Sequence, residues 1–254
     1  MRRTPIIRGL LPILDADWLE RIELVSAAEI RRFYAGQESV IQTIARRLGA
    51  SSALSCVQVR CKDRPERCAS FAALWVEALR RYSPHVTVII NDHVELAIQL
   101  AADGVHVGQE DRPVALCRRL LGREKLIGLS THTLAEVAAA HEAGVDYIGF
   151  GPLFTTQTKP DAQAAQGIAR LAEVCQHARQ PVVAIGGIQN MHMAEIAATG
   201  AAAVAMISGI WGTEGENGEK KEGWLRRLEQ AERAWHASQP DATTPPGTPR
   251  IFTP

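Results

Sequence analysis

Short apolar runs alternate with longer segments of helical periodicity along most of the chain. Most of these runs end in glycine or in polar residues, as a buried strand does where it leaves a parallel sheet. The segments between them carry apolar residues three and four positions apart, which indicates amphipathic helices. We therefore predict strands at 9–15, 55–60, 87–90, 104–108, 126–130, 147–150, 182–185 and 203–207.

The regular alternation of strands and helices predicts a single (β/α)8 barrel, a TIM barrel of the α/β class. Glycine-containing junctions recur between helices and strands, and Gly104 and Gly144 lie about two βα units apart. Glycine suits the left-handed backbone in which helices commonly end, so these junctions support the alternation. An open, doubly wound sheet is the alternative fold, because the same alternation also builds that architecture.

Two segments extend this plan. Residues 16–50 have helical periodicity and form a long first connection, with room for two short helices. Residues 238–254 are rich in proline and threonine and show no apolar periodicity, so a disordered tail is expected there. We therefore place the barrel at 1–237, with the extended connection at about 16–50, and the tail at 238–254.

Composition narrows the class of protein. The chain has 254 residues, 46% of them hydrophobic, which is enough for a large core, and its 28 basic residues balance its 28 acidic ones. This neutrality argues against nucleic acid or an anionic membrane as a partner. Five cysteines without a C-x-x-C pair predict reduced thiols in a cytoplasmic protein. We expect no secretory signal in the first residues, and no apolar run is long enough to span a bilayer.

Polar residues follow the predicted strands, and in a barrel the carboxyl ends of all strands face one mouth. The richest of these ends follows strand 147–150, where Gly151-Pro152 turns the chain into hydroxyl groups and a lysine. Acids, cations and glycine-rich turns gathered in one place indicate a site for Mg²⁺ and phosphate groups. The residues predicted at the mouth are Arg60, Lys62, Asn91, Asp92, Asp111, Ser130, Thr156, Thr158, Lys159, Gly186, Gly187 and Ser208.

Asp92 and Asp111 follow consecutive predicted strands and have two interpretations. Each precedes a predicted helix, so either could cap it. However, two carboxylates at neighbouring strand ends can meet on one hard cation, and Mg²⁺ usually takes one or two carboxylates together with water and phosphate oxygens. We favour the metal site, and capping does not exclude it. Histidine ligands are not indicated, because His106, His132 and His141 lack metal-ligand spacing and are interpreted as structural or surface residues.

Two further groups indicate an anionic ligand. Gln58, Arg60 and Lys62 alternate along one strand and share its inward face, where polar side chains are unusual without a ligand. Gly186 and Gly187 follow the seventh strand, a place where barrels frequently bind phosphate through backbone N–H groups. The simpler interpretations are a solvated pair of cations at the rim and a tight glycine turn.

Several motifs in the middle of the chain occur together. The most specific are H-x-G-Q-E-D at 106–111 and G-P-x-F-x-T-x-T-K at 151–159. The others are Q-x-R-x-K at 58–62, Asn91-Asp92, G-L-S-T-H at 128–132 and I-G-G-I at 185–188. In this set and order, from about residue 55 to residue 210, the chain resembles the thiamine phosphate synthase family.

The resemblance implies a transferase that joins hydroxymethylpyrimidine diphosphate to thiazole phosphate, giving thiamine phosphate and diphosphate. It implies that Asp92 and Asp111 hold Mg²⁺ on the diphosphate. It assigns catalysis to Arg60, Lys62, Ser130 and Lys159. It assigns substrate binding to Gln58, Arg60, Lys62, Asn91, Ser130, Thr156, Thr158, Lys159, Gly187, Ile207 and Ser208. The expected partners are these small molecules, not nucleic acid or membrane, and homo-oligomerisation is left open.

The predicted charges suit a dissociative displacement. The leaving diphosphate gains negative charge as its bond breaks, so preorganised cations lower the barrier, while the thiazole nitrogen carries no proton and needs no general base. Two alternatives stay open: a thiazole tautomerase-like isomerase on the same fold, and a non-catalytic protein that binds thiamine precursors or regulates their use. The presence of Asp92 and Asp111 together with Lys159 favours the synthase.

Overall fold

The computed structural model describes residues 7–156, 158, 164–213 and 223–239. Parallel strands close into a barrel in sequence order, and β1 pairs with β8 as well as with β2. The open-sheet alternative is therefore wrong. The strands are β1 (Gly9–Asp15), β2 (Cys56–Arg60), β3 (Thr87–Asn91), β4 (Gly104–Val107), β5 (Leu126–Thr131), β6 (Tyr147–Phe150), β7 (Val182–Ile185) and β8 (Ala203–Met206).

Helices connect the strands and cover the outside of the barrel. They are α1 (Ala16–Arg21), α2 (Ala27–Tyr34), α3 (Val40–Ala50), α4 (Pro65–Tyr82), α5 (Val94–Gln99), α6 (Val114–Leu121), α7 (Leu134–Ala143), α8 (Gly167–His177), α9 (Met193–Ala198), α10 (Ser208–Trp211) and α11 (Gly223–Ser238). A 3-10 turn, Asn190–His192, precedes α9. α7 begins with a side-chain cap, since the Thr133 side chain accepts a hydrogen bond from the backbone N–H of Glu136.

The long first connection contains three helices, where the sequence suggested two. Each of the extra helix starts is marked by a serine. Ser26 accepts a hydrogen bond from the backbone N–H of Glu29, and Ser39 accepts one from Gln42, both at 3.3 Å. A serine that satisfies an unpaired N–H in this way begins a new helix, so the connection is divided at these two residues.

Two apolar cores lie on the two faces of the sheet. The outer core packs the helices against the barrel, and the inner core fills the barrel with residues that include Leu11, Ile13 and Cys56. Side chains alternate along a strand, so Gln58 and Arg60 continue the inward face of β2 above Cys56. The inner core thus supports a polar layer at the carboxyl ends of the strands.

The first and last parts of the barrel are joined by two indole groups. Trp18 donates from Nε1 to the carbonyl of Gly212 at 3.0 Å, across 194 residues of sequence. Trp211 donates from Nε1 to the carbonyl of Ile13 at 2.7 Å, across 198 residues. Both hydrogen bonds are buried, so they fix the carboxyl end of β1 against the segment that follows β8.

Other parts of the sequence prediction meet the described residues only in part. Ser238, the first residue of the predicted tail, is the last residue of α11, and 240–254 lie outside the described residues. Lys159 and residues 214–222 lie outside them as well. All five cysteines are free thiols. Within the described ranges, no helix combines the length and the apolar character that crossing a membrane requires.

Candidate active site

A cavity of about 210 Å³ opens at the carboxyl ends of the strands. Apart from Lys159, which lies outside the described residues, every side chain or glycine predicted for the site lines this cavity. Residues from seven strand ends, those of β2 to β8, are thus brought together although they are up to 150 positions apart in sequence, as Gln58 and Ser208 are. Their chemical roles stay predictions.

One side of the mouth, which we call the cationic half, consists of Arg60, Lys62, Asp92 and Asp111. Lys62 Nζ lies 2.5 Å from Asp92 Oδ2. The side chains of Asp92 and Asp111 are within hydrogen-bonding reach of each other. Burial is the main cause that raises the pKa of Asp92 above its ordinary value, and the Asp111 carboxyl adds to it while Lys62 opposes it. Two facing carboxyl groups are unfavourable as anions unless a proton or a cation lies between them.

The structure removes capping as the explanation of these two acids. The residues at the N-caps of α5 and α6 are His93 and Pro113, and neither helix has a side-chain cap. Asp92 has a left-handed backbone with φ of 62°, which is uncommon outside glycine and costs free energy. The side chains of Asp92 and Asp111 both line the cavity.

A carboxylate pair of this kind fits Mg²⁺. Among the residues that the structure describes, no group of three or more His, Cys, Asp or Glu side chains is arranged to hold a metal ion. Mg²⁺ does not need such a group, because it takes one or two carboxylates and completes its shell with water and phosphate oxygens. Asp92 and Asp111 supply that smaller set.

Arg60 has an acidic partner that the sequence analysis did not include in the site. Its Nη1 forms an ion pair with Asp15, the buried last residue of β1. The strand register places Asp15 directly opposite Arg60. The available signal was the acid that ends the first predicted strand, but its pairing with Arg60 depends on a register that sequence alone does not supply.

His106 lies in the floor of the cavity, where it is buried, so of its two interpretations from the sequence the structural one agrees with the structure. Its Nδ1 lies 3.0 Å from the Tyr147 hydroxyl, and its Nε2 lies 3.0 Å from Ser130 Oγ. Burial raises the pKa of Tyr147 well above its ordinary value, so the phenol stays neutral. Ser130, a predicted substrate-binding residue, is therefore held in place by His106. His132 also lines the cavity.

Two glycines make room for this floor. A Cβ atom on Gly128 would lie 2.1 Å from Cζ of Tyr147, and one on Gly149 would lie 3.2 Å from Cε1 of His106. The first distance is far below any contact that real side chains make, so alanine at position 128 would displace the tyrosine ring. Glycines on neighbouring strands were the sequence signal that a large side chain fills the barrel at this level.

The opposite side of the mouth, which we call the glycine half, consists of Gly151, Gly186, Gly187 and Ser208. The backbone N–H groups of Leu153 and Phe154 donate to the carbonyls of Ile185 and Gly186, which ties the loop after β6 to the end of β7. This packing is too close for larger residues. A Cβ on Gly187 would lie 2.6 Å from the carbonyl oxygen of Thr155, and φ of Gly187 is 65°.

The hydroxyl groups predicted to bind phosphate belong to the same loop. Thr156 and Thr158 line the cavity beside the glycine half, and the Thr156 hydroxyl accepts a hydrogen bond of 3.2 Å from the backbone N–H of Thr158. Nearby, the ring of Phe154 stacks on His192 with centroids 3.8 Å apart. The glycine half therefore presents backbone and hydroxyl donors, whereas the cationic half presents full charges.

Comparison with known proteins gives a consistent result. A family model described as thiamine monophosphate synthase matches residues 26–210. A thiamine-phosphate synthase from Pelotomaculum thermopropionicum is 40% identical over 193 residues, which is 76% of this chain and 84% of that protein. One from Persephonella marina is 42% identical over 151 residues, 59% of this chain and 71% of that protein.

Solved structures agree with these matches. A thiamine phosphate pyrophosphorylase from Pyrococcus furiosus superposes with a TM-score of 0.65 and 25% identity, covering 89% of this chain and 96% of that one. A 3-hexulose-6-phosphate synthase from Salmonella typhimurium has a TM-score of 0.57 at 15% identity, covering 91% of this chain and 100% of that one. The second similarity is one of fold alone.

Proposed function

The chain belongs to the thiamine monophosphate synthase family, and on that premise we propose how its two half-sites divide the reaction. It is a transferase that makes thiamine phosphate. The pyrimidine diphosphate binds against the cationic half, and the thiazole phosphate binds against the glycine half. The observation that carries this assignment is the contact of Asp92 with Asp111 and Lys62, on the side of the cavity that Arg60 also lines.

Asp92 and Asp111 would hold Mg²⁺ where the diphosphate lies. When bound, the ion supplies positive charge that neutralises phosphate oxygens. The fit rests on the two facing carboxyl groups, of which Asp92 is kept in a strained backbone conformation. Such strain is retained at functional sites because the surrounding structure enforces it.

The cations of the chain act on the departing diphosphate. Arg60 and Lys62 lie at the edge of the cavity, and Asn91 adds an amide. Charge accumulates on the diphosphate as its bond to the pyrimidine methylene breaks, so these groups bind the transition state more strongly than the substrate. Lys159, which the motif places at the end of the loop after β6, supplies another cation in this assignment.

The pyrimidine ring lies on the polar floor of the barrel. Gln58 and Ser130 contact it, and the Ser130 hydroxyl is oriented by His106, which in turn is held by Tyr147. A hydroxyl fixed in this way loses little freedom when the substrate binds. The chain thereby positions the pyrimidine methylene between the two half-sites.

The thiazole phosphate is held by groups that carry no net charge. Thr156, Thr158, Gly187, Ile207 and Ser208 line this side of the cavity, and backbone N–H groups and hydroxyls are good donors to phosphate oxygens. The phosphate is not altered in the reaction, so constant binding is all that this half-site must provide. The thiazole nitrogen attacks without a general base, because it carries no proton.

We place the reaction in the cytoplasm, since all five cysteines are free thiols and thiols persist in reducing compartments. The substrates are small molecules. Whether the chain forms a homo-oligomer is a separate question, which sedimentation of the purified protein would answer.

The test is synthesis from purified components. The protein is mixed with hydroxymethylpyrimidine diphosphate, thiazole phosphate and Mg²⁺, and thiamine phosphate and diphosphate are measured. We expect equal amounts of both products, and loss of both when EDTA replaces the metal ion. Full synthesis in EDTA would contradict the metal site. Conversion of the thiazole without release of diphosphate would favour the tautomerase alternative, and binding of both precursors without any product would favour the regulatory alternative.

A further inference from the structure

Asp15 is a buried acid whose two carboxylate oxygens have different partners. Its side chain is 3% exposed. Oδ1 accepts a hydrogen bond of 2.9 Å from the backbone N–H of Trp18 and so caps α1. Oδ2 pairs with Nη1 of Arg60. Because Asp15 and Arg60 are register partners on adjacent parallel strands, their side chains leave the sheet on the same face.

Capping alone does not account for a carboxylate at this position. Serine and asparagine cap helices about as well as aspartate does. They also avoid the burial of a charge, which is unfavourable unless the charge is paired and hydrogen-bonded. The second partner, Arg60, is therefore the reason for an acid at position 15.

Asp15 is not placed to contact a ligand itself. Arg60 lines the cavity, whereas Asp15 does not. A guanidinium group carries five N–H donors, and the contact with Asp15 uses Nη1, so other donors can reach the oxygens of an anion. An arginine that is already fixed loses less side-chain freedom when its ligand binds.

Buried hydrogen bonds fix the chain around Asp15. Ile13, two residues before Asp15, accepts a buried hydrogen bond from Trp211, and Trp18, which Asp15 caps, donates one to Gly212. These contacts hold the chain on both sides of Asp15. A carboxylate fixed in this way can define where the guanidinium group of Arg60 lies.

We propose that Asp15 is a positioning residue that holds Arg60 in place for the diphosphate of the pyrimidine substrate. This rests on the proposed function, in which Arg60 contacts that diphosphate. Lys62 differs from Arg60 in this respect. Its side chain is 44% exposed against 15% for Arg60, and its ion-pair partner Asp92 is itself a proposed metal ligand. Asp15 gives Arg60 a counter-charge that has no other part in the reaction.

The experiment is a double-mutant cycle between positions 15 and 60. Asp15→Asn keeps the shape and the capping oxygen but removes the charge, and Asp15→Ser keeps only a capping oxygen. Each is made alone and together with Arg60→Ala, and kcat, both KM values and the Kd of inorganic diphosphate with Mg²⁺ are measured. Asp17→Asn is the matched control, because Asp17 lies in the first turn of α1 and pairs with Arg67.

We expect Asp15→Asn to lower kcat/KM for the pyrimidine diphosphate and to weaken diphosphate binding by about 10-fold each, the scale of losing one charge-assisted contact. KM for thiazole phosphate should change less than about 2-fold, and Asp17→Asn should behave as the unaltered chain. In the Arg60→Ala background, Asp15→Asn should have no further effect, because its only route to the substrate has been removed.

Four outcomes would overturn the inference. The first is an equal loss from Asp15→Asn with and without Arg60, which would mean a purely structural role. The second is a fall in melting temperature in both Asp15 variants with unchanged kinetics. The third is an Arg60→Ala variant with full activity, which would remove the proposed function of Arg60 as well. Loss of activity in Arg60→Ala but not in either Asp15 variant would leave that function intact and reject Asp15 alone.

Discussion

The two halves of the mouth are both suited to phosphate groups, but they consist of different chemical groups. The cationic half is built from side-chain charges held by ion pairs, Arg60 with Asp15 and Lys62 with Asp92. The glycine half is built from backbone, and Gly186 and Gly187 pack so closely on the loop after β6 that no side chain fits there. Both would bind phosphate groups, yet one half uses full charges and the other uses neutral donors.

Under the proposed assignment, the difference would reflect what happens to each phosphate. The diphosphate becomes more negative as it leaves, so a group with full charge stabilises the transition state beyond the ground state and raises kcat. The thiazole phosphate keeps its charge, so its donors contribute to binding and appear in KM. Substitutions in the cationic half should therefore lower kcat, and those in the glycine half should raise one KM.

The largest effect is expected at the carboxylate pair. Asp92→Asn and Asp111→Asn should each lower kcat by roughly three orders of magnitude, since a bound metal ion contributes several kcal/mol and about 1.4 kcal/mol is a factor of ten. The matched control is Asp63→Asn, an acid of the β2–α4 loop whose side chain pairs with Arg67. The assay is initial rates with varied Mg²⁺. Undiminished activity of both Asp variants in EDTA would refute the metal site.

Lys159 tests whether the cationic half extends across the mouth. Lys159→Ala should lower kcat by roughly 100-fold, the scale of losing one preorganised electrostatic contact, with a much smaller change in KM for thiazole phosphate. Lys159→Arg should restore only part of the rate, because the planar guanidinium group of arginine does not reproduce the compact ammonium group of lysine. Steady-state kinetics with each substrate varied would decide. An unchanged kcat with a greatly raised thiazole phosphate KM would assign Lys159 to the other half.

Substitutions in the glycine half should change KM for thiazole phosphate. Gly187→Ala brings a Cβ to 2.6 Å from the Thr155 carbonyl oxygen, so the loop must move and KM for thiazole phosphate should rise about 10-fold at nearly constant kcat. Gly36→Ala is the matched control, because Gly36 has a similar φ of 69° but no neighbour within 4 Å of a Cβ.

Both alanine variants carry the cost of a left-handed backbone, roughly 1 kcal/mol of stability. Thermal unfolding should therefore show a loss in both proteins, larger in Gly187→Ala because its Cβ also clashes with the loop, while only Gly187→Ala changes the kinetics. A matching rise in KM for the pyrimidine diphosphate would mean that the two halves are not separate.

A substitution in the floor between the two halves should have the smallest effect on catalysis. Tyr147→Phe removes the hydroxyl that holds His106, and kcat/KM for the pyrimidine diphosphate should fall about 5-fold, since a neutral hydrogen bond contributes about 1 kcal/mol. Tyr34→Phe, on the exposed side of α2, is the control. If Tyr147→Phe changed kcat/KM only for thiazole phosphate, the floor would not belong to the pyrimidine site.

The fold and most of the site could be predicted from sequence because their signals are local or periodic. Apolar runs and glycine junctions indicated the order of elements, and the convergence of parallel strand ends brought Gln58 and Ser130 into one place without any contact being known. The division at Ser26 and Ser39 was also readable, since each serine precedes a Glu or Gln by three residues.

Other parts of the site depend on three-dimensional relations that no local pattern carries. The pairing of Asp15 with Arg60 follows from the register of β1 and β2. The role of His106 follows from the space left by Gly128 and Gly149 on neighbouring strands. A histidine inside a barrel has the same sequence signature as one packed elsewhere, so its environment decides its function.

The indole hydrogen bonds that close the barrel also set an order in time during synthesis. Trp18 cannot form its hydrogen bond until Gly212 has been synthesised, 194 residues later. At a synthesis rate of 5–20 residues per second, this is a delay of roughly 10–40 s. Until β8 has also been made, shortly before Gly212, β1 has no strand on that side, and this edge is open to pairing with other chains. The contacts that fix the end of β1 in the finished protein are thus among the last that the growing chain can make.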